Sequence, residues 1–218
     1  MSVRLAVFDC DGTLSDGQAS IVQSMEAAFA LMDLPAPQRH DVRRIVGLSL
    51  PQAIRRLAPA LDDQALAATV AAYKQAFFDA RAAGAVHEPL FDGVPELLAR
   101  MHGAGWTLGV ATGKSDRGLT STLAMHGLAP LFATLHTADR HPSKPHPAML
   151  HAAMDDTLAT PAQTVMIGDT VFDMEMARAA GVRALGVAWG YHEPAELLAA
   201  GAEAVASDAA HLEELLNG

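Results

Sequence analysis

The chain has 218 residues, half of them hydrophobic and 18% charged, enough for a sizeable core and too apolar for disorder. Fifteen basic against twenty-five acidic residues give a net charge of −10, which argues against nucleic acid as a partner and disfavours anionic substrates unless a metal and local cations offset the field. No apolar run approaches a membrane span, the first residues lead straight into a strand with no signal peptide visible, and one cysteine excludes an internal disulfide and suits a reducing cytoplasm.

In chain order, the first predicted element is a buried strand at Leu5 to Phe8. It runs into two acids, Asp9 and Asp11, which point to one side while Cys10 points to the other. Gly12 permits a sharp turn before Thr13 and Leu14. Two carboxylates converging at the end of a buried strand are unfavourable unless a cation or a proton compensates them, so chemistry is expected here. A calcium loop of the EF-hand kind is excluded, because its sixth position needs glycine and Leu14 stands there.

After Asp16 the pattern turns helical. Ile21, Val22, Met25, Ala28, Phe29 and Met32 share a helix face that ends before Pro35. Gln38 to Val46 predicts a short helix closed by Gly47. Ser49 is placed to cap a third, ended by Pro59, and Asp62 opens a longer one with Leu66, Val70, Tyr73 and Phe77 on one face. Residues from about 17 to 85 therefore read as an all-α unit. From Leu90 the pattern alternates. Helices are predicted near Pro95 to Gly103, at Ser115 to His126, Pro147 to Met154 and Val171 to Ala180, and from Glu193 and Ala209. Strands are predicted at Trp106 to Ala111, Leu131 to Thr137, Thr164 to Ile167, Arg183 to Ala188 and Ala204 to Ala206. Such alternation implies an α/β fold with parallel strands and right-handed crossovers, interrupted after its first strand by the helical insertion. The expected boundaries are 1–15 and 89–218 for the core and 16–88 for the insertion, with crossings near Ser15–Gly17 and Ala85–Pro89.

Ligands in open parallel sheets bind beyond the carboxyl ends of the strands, so polar residues at other strand ends are diagnostic. The second strand ends in Thr112-Gly113-Lys114-Ser115, where glycine lets an anion approach the backbone and a helix start offers N–H groups. Lys144, in Ser143-Lys144-Pro145-His146-Pro147, precedes a helix and is suited to anchor phosphate. The fourth strand ends in IGDTVFD, with Asp169 at its tip and Asp173 on the first turn of the next helix.

DCDGTLSD resembles the first motif, DxDGTLxD, of the haloacid dehalogenase-type phosphohydrolases. Thr112 is similar to that family's second motif, Lys144 in KPHP to its third, and Gly168, Asp169 and Asp173 to its fourth, GDxxxD. The four occur in order over nearly the whole chain, with a helical insertion where the family carries its cap. The resemblance implies a Rossmann-like catalytic core with a small helical cap, and a layout like that of phosphoglycolate phosphatases. Asp11 sets it apart from the dehalogenase branch, which lacks this acid and the metal. Asp9 is then the expected nucleophile and Asp11 the acid and base, with Lys144, Thr112 and the N–H of Gly113 on the phosphate. Magnesium is the expected cofactor, with Asp9, the carbonyl of Asp11 and Asp169 as ligands and Asp173 behind them.

The expected substrate is a small phosphorylated metabolite, a phosphoglycolate-like monoester; pyrophosphate cleavage and a sugar-phosphate phosphomutase remain alternatives. Arg43, Arg44 and Gly47 are candidates for substrate recognition, with surface charge the equal alternative for the arginines. A rival reading takes GVATGKS as a nucleotide-binding loop, although it is one residue short of GxxxxGK[ST]. Another, a binding protein without turnover, is opposed by the complete set of acids and cations. His136, His141, His146 and His151 lack metal spacing, and most are expected at the surface or in loops. The sequence does not fix the oligomeric state.

Overall fold

In the computed structural model, which describes residues 3–217, six parallel strands form one sheet. They are β1 (Leu5–Phe8), β2 (Thr107–Thr112), β3 (Phe132–Thr137), β4 (Thr164–Gly168), β5 (Arg183–Val187) and β6 (Ala204–Ala206), in the order β3-β2-β1-β4-β5-β6. Met1, Ser2 and Gly218, at the ends of the expected core span, lie outside the described residues. The helices of the second half are α5 (Val94–Gly103), α6 (Asp116–Met125), α7 (Ala148–Thr157), α8 (Val171–Ala180), α9 (Pro194–Ala200) and α10 (Ala209–Asn217). This is the Rossmann-like α/β fold expected from the alternation. No helix among the described residues is long and apolar enough to cross a membrane.

A parallel sheet is stable only when both faces are covered, and β1 shows how its residues divide between them. Ala6, Phe8 and Cys10 join one apolar cluster with Leu97 of α5, Leu119 of α6 and Leu212 of α10. Leu5 and Val7 join another with Leu150 of α7 and Met174 of α8. The period of two along the strand thus puts Cys10 in the core and turns Asp9 to the other side. Burial raises the Cys10 thiol far above the ordinary range, so it is an inert core residue. Phe8 pairs with Val110 of β2 on one side and Ile167 of β4 on the other. That register brings the carboxyl ends of three strands level and so collects the polar residues.

Between β1 and α5 the chain forms α1 (Gln18–Leu31), α2 (Arg39–Arg44), α3 (Leu50–Leu57) and α4 (Asp63–Ala82). Their shared core includes Ile21, Met25, Phe29, Val42 and Ile54, with Tyr73 and Phe77 half-buried against it. Asp62 caps α4 as expected, accepting the Ala65 N–H at 2.8 Å. Ser49 has the backbone of a cap, but its hydroxyl makes no bond to α3, and its N–H instead donates to Ser143 Oγ at 2.8 Å. The two crossings lie side by side: Asp16 N–H donates to Pro89 O at 2.8 Å and Phe91 N–H to Leu14 O at 3.1 Å.

Element ends differ from expectation by a few residues. Helix α7 runs on to Thr157 because Leu158 takes a left-handed backbone (φ 57°) that stops it without a glycine. Short 3-10 turns at Ala129–Leu131 and Pro161–Gln163 escape periodicity, being too short to carry any. Truncating Phe29, which is 2% exposed, should cost about 3–5 kcal/mol as Phe29→Ala. The check is a urea melt followed by circular dichroism, in which a loss below about 1 kcal/mol would show that this helical core adds little to global stability.

Candidate active site

Asp9 extends β1, its N–H bonded to Ile167 O of β4 at 2.9 Å. Its Oδ1 accepts the Cys10 N–H at 2.7 Å and lies 2.9 Å from Lys144 Nζ. Its Oδ2 is buried and has no partner among the described residues. Lys144, fully buried, also donates to Asp173 Oδ1 at 2.6 Å. The second oxygen of Asp173 accepts the N–H and hydroxyl of Thr170 at 3.1 and 2.7 Å, closing a capping box at the start of α8. Asp169 accepts the Thr13 hydroxyl at 2.7 Å and the Tyr191 N–H at 2.9 Å. Gly12 is there of necessity: its backbone is left-handed (φ 88°) and a Cβ would lie 2.1 Å from Asp169 Oδ2.

Oxygens of Asp9, Asp169 and Asp173 all lie within 4.8 Å of one another. Three acids face one lysine here, and their ionisation is opposed. Burial raises Asp9 to about 7, against the pull of Lys144 and with repulsion from Asp173 and Asp11 adding to it. Burial, with repulsion from Asp9 and Asp173, raises Asp169 well above the usual range. Lys144 is held up by Asp173 and Asp9, which outweigh its own burial. An oxygen-lined pocket with surplus negative charge fits a hard divalent cation.

Thr112 ends β2 and its hydroxyl accepts the Lys114 N–H at 3.2 Å. A Cβ on Gly113 would stand 2.5 Å from the carbonyls of both Gly47 and Leu48, so the α2–α3 turn rests directly on this glycine. Gly47, itself left-handed (φ 99°), therefore reaches the site with Thr112 and Gly113. Asp11 is 7% exposed, and its Oδ1 accepts Lys114 Nζ at 2.7 Å. Lys114 also donates to Glu88 Oε1 at 2.7 Å, and Glu88 Oε2 accepts from Arg81 at 2.8 Å and Thr122 at 3.1 Å.

A model of the haloacid dehalogenase-like hydrolases matches residues 6–187. The chain belongs to that family. It is 39% identical over 199 residues to the protein named "Probable phosphatase IndB" of Dickeya dadantii, spanning 90% of this chain and 86% of that one. It is 28% identical to a phosphoglycolate phosphatase of Vibrio parahaemolyticus, over 98% of this chain and 96% of that one. The solved structure of a predicted phosphatase from Clostridium acetobutylicum superposes with a TM-score of 0.88 at 23% identity, over 100% and 99% of the two chains, a likeness of fold.

In this haloacid dehalogenase-like chain the structure bears on three of the readings made from sequence. Arg43 and Arg44 do not face the cleft. Arg43 donates to Gly190 O at 2.8 Å and lies over the Tyr191 ring, and Arg44 forms a two-bonded pair with Glu196 at 2.6 and 2.7 Å. Arg43 thereby ties α2 to the loop after β5, and Arg44 ties it to α9. The GVATGKS reading fails as well: Gly109 to Thr112 are strand, and both carboxylates named above occupy Lys114. Finally, His136 is buried on β3, hydrogen-bonded to Thr134 and 2.9 Å from His141, and burial lowers its pKa.

The Lys114–Glu88 pair is the part that sequence reasoning missed. Lys114 stands out as a lysine beside a strand end, but nothing marks Glu88 except an acid placed where the chain returns to the core. Burial alone would raise Glu88, yet Lys114 and Arg81 outweigh it and hold its pKa below the usual 4.5. A depressed carboxylate stabilises the fold above its unfolded pKa, and that contribution is lost as pH falls from about 4.5 through the lower folded value. Glu88→Gln should therefore destabilise the protein by about 3–5 kcal/mol at neutral pH, as breaking a buried ion pair does, and flatten the acid limb of a stability–pH curve. Urea midpoints between pH 3 and 7 test this, and parallel curves for the two proteins would show that the ion pair does not shape the acid limb.

Proposed function

We propose that this chain is a magnesium-dependent phosphatase that hydrolyses a small phosphate monoester through an aspartyl-phosphate. The observation that carries the reading is the Asp9 carboxylate: one oxygen is clamped by Lys144 and the Cys10 N–H, and the other is buried without a partner among the described residues. A nucleophile needs this, one oxygen fixed and the other free to react. The phosphatase names of relatives support the reaction class, and phosphoglycolate, the substrate named for the Vibrio relative, is the reference compound.

In the first half-reaction Asp9 Oδ2 bonds to phosphorus, the bond to the leaving oxygen breaks, and Asp11 supplies that oxygen's proton. In the second, Asp11 takes a proton from water, the water oxygen bonds to phosphorus, and the Asp9–phosphorus bond breaks to release inorganic phosphate. Lys144, Thr112 and the Gly113 N–H stabilise charge on the transferring group, the main task in phosphoryl transfer. Asp173 positions Lys144, and Lys114 orients Asp11. Asp9, the Asp11 carbonyl and Asp169 would hold magnesium, which when bound supplies countercharge to phosphate and acids alike. Residues 16–88 act as a cap that excludes water from the cleft, and 1–15 with 89–218 form the catalytic core. The composition suits a cytoplasmic enzyme acting on a phosphorylated metabolite, with no role for nucleic acid.

Asp9→Asn removes the nucleophile with little change in volume and should leave p-nitrophenyl phosphate turnover below about 1% of wild type, since groups that act as a unit cost orders of magnitude when removed. A folded variant with a few per cent of activity or more would overturn the assignment. Activity should vanish in EDTA, return with magnesium and be inhibited by calcium, which prefers higher and looser coordination. Undiminished turnover by thoroughly chelated enzyme would sink the metal site.

A further inference from the structure

Above the carboxylates lies a cavity of about 560 Å3 between the sheet and the helical insertion. Its floor is Asp9, Asp11, Thr112 and Gly113, and its roof is formed by Ile21 and Met25 of α1, Ala53 of α3, and Tyr73 and Phe77 of α4. The volume lies within the range of about 300–1,000 Å3 that holds ligands of drug size. A phosphoryl group with a two-carbon acid attached would leave most of it unfilled.

The chemistry of the roof points the same way. Tyr73 and Phe77 stack with ring centroids 6.0 Å apart and planes 30° apart, giving one aromatic wall beside the aliphatic side chains. Cations within the cleft already have carboxylate partners: Lys114 holds Asp11 and Glu88, and Arg81 holds Glu88. Lys74 and Arg117 line the rim and are exposed, with Arg117 stacked 4.5 Å over the Phe78 ring. Arg43 and Arg44 are turned away to the core. A carboxylate against the side chains of Ile21, Met25, Ala53 and Phe77 would lose its water, whereas an apolar ring would gain burial and stacking.

Resting on the phosphatase reading above, we infer that the substrate's leaving group is an apolar, ring-bearing alcohol seated against Tyr73 and Phe77, not the carboxylate-bearing stub of a two-carbon acid. The phosphate end is read by the floor and the alcohol end by the aromatic roof.

The test compares 2-phenylethyl phosphate with phosphoglycolate, both alkyl esters, at fixed magnesium. Wild type should prefer the ring-bearing ester by at least about tenfold in kcat/KM, and Phe77→Ala should reduce that preference about 10- to 100-fold, the range a hydrophobic pocket gives for lost apolar contact. Phe77→Tyr, which keeps the ring, should retain the preference, and it keeps the test valid if the alanine variant fails to fold. Equal or better use of phosphoglycolate by wild type would overturn the inference while leaving the phosphatase reading intact. An unaltered preference in folded Phe77→Ala would overturn it too. If neither ester turns over, the phosphatase reading fails, and calorimetry with 2-phenylethyl phosphonate decides the pocket: binding weakened by Phe77→Ala supports the ring site, and no binding overturns it.

Discussion

A lysine with no access to solvent, gripped by Asp9 and Asp173, is the interaction on which the rest depends. Three acids crowd one end of the sheet, and without Lys144 none of them has a compensating charge nearby. Removing one partner from such a buried pair typically costs about 3–5 kcal/mol, because the other charge is left bare. The arrangement also divides labour. Asp173 has both oxygens committed, one to Lys144 and one to Thr170, so it is a fixed support. Asp9 has one oxygen committed and one free, so the same network that stabilises the fold leaves a single carboxylate oxygen uncommitted.

A second charged chain runs parallel to the first. Asp11, Lys114, Glu88 and Arg81 link the end of β1 to the end of β2, the returning crossing and α4. Its members come from the core, the crossing and the insertion, so the charge beside Asp11 depends on where the insertion sits. The two networks meet at the floor of one cleft, and each contains a lysine whose charge is sustained by acids on either side.

Much of this is legible in the sequence, for a physical reason. Buried parallel strands must be short apolar runs, and Leu5 to Phe8 and Thr164 to Gly168 are; the residues just beyond such runs must be polar if the strand ends form a site. Asp9 and Asp169 announce themselves by standing at such ends, and Lys144 by standing just before a helix start. Glu88 cannot, because its partners lie 7, 26 and 34 residues away and only the folded chain brings them together. Arg43 and Arg44 illustrate the opposite failure. Their place before the Gly47 turn is plain from the sequence, and Gly47 does reach the cleft, but a residue's position on a six-residue helix does not say which way a long side chain leaves it.

The crossings between insertion and core carry a consequence for how such a protein can change over time. Chain entering at Asp16 and chain leaving at Pro89 are already hydrogen-bonded neighbours, so whatever lies between them closes a loop whose ends the core holds together. Doubling the length of such a loop adds only about 0.6 kcal/mol of closure entropy. Descendants of this gene can therefore lengthen, shorten or exchange the segment at little thermodynamic penalty, provided the new piece packs its own apolar face and still lays a turn on Gly113.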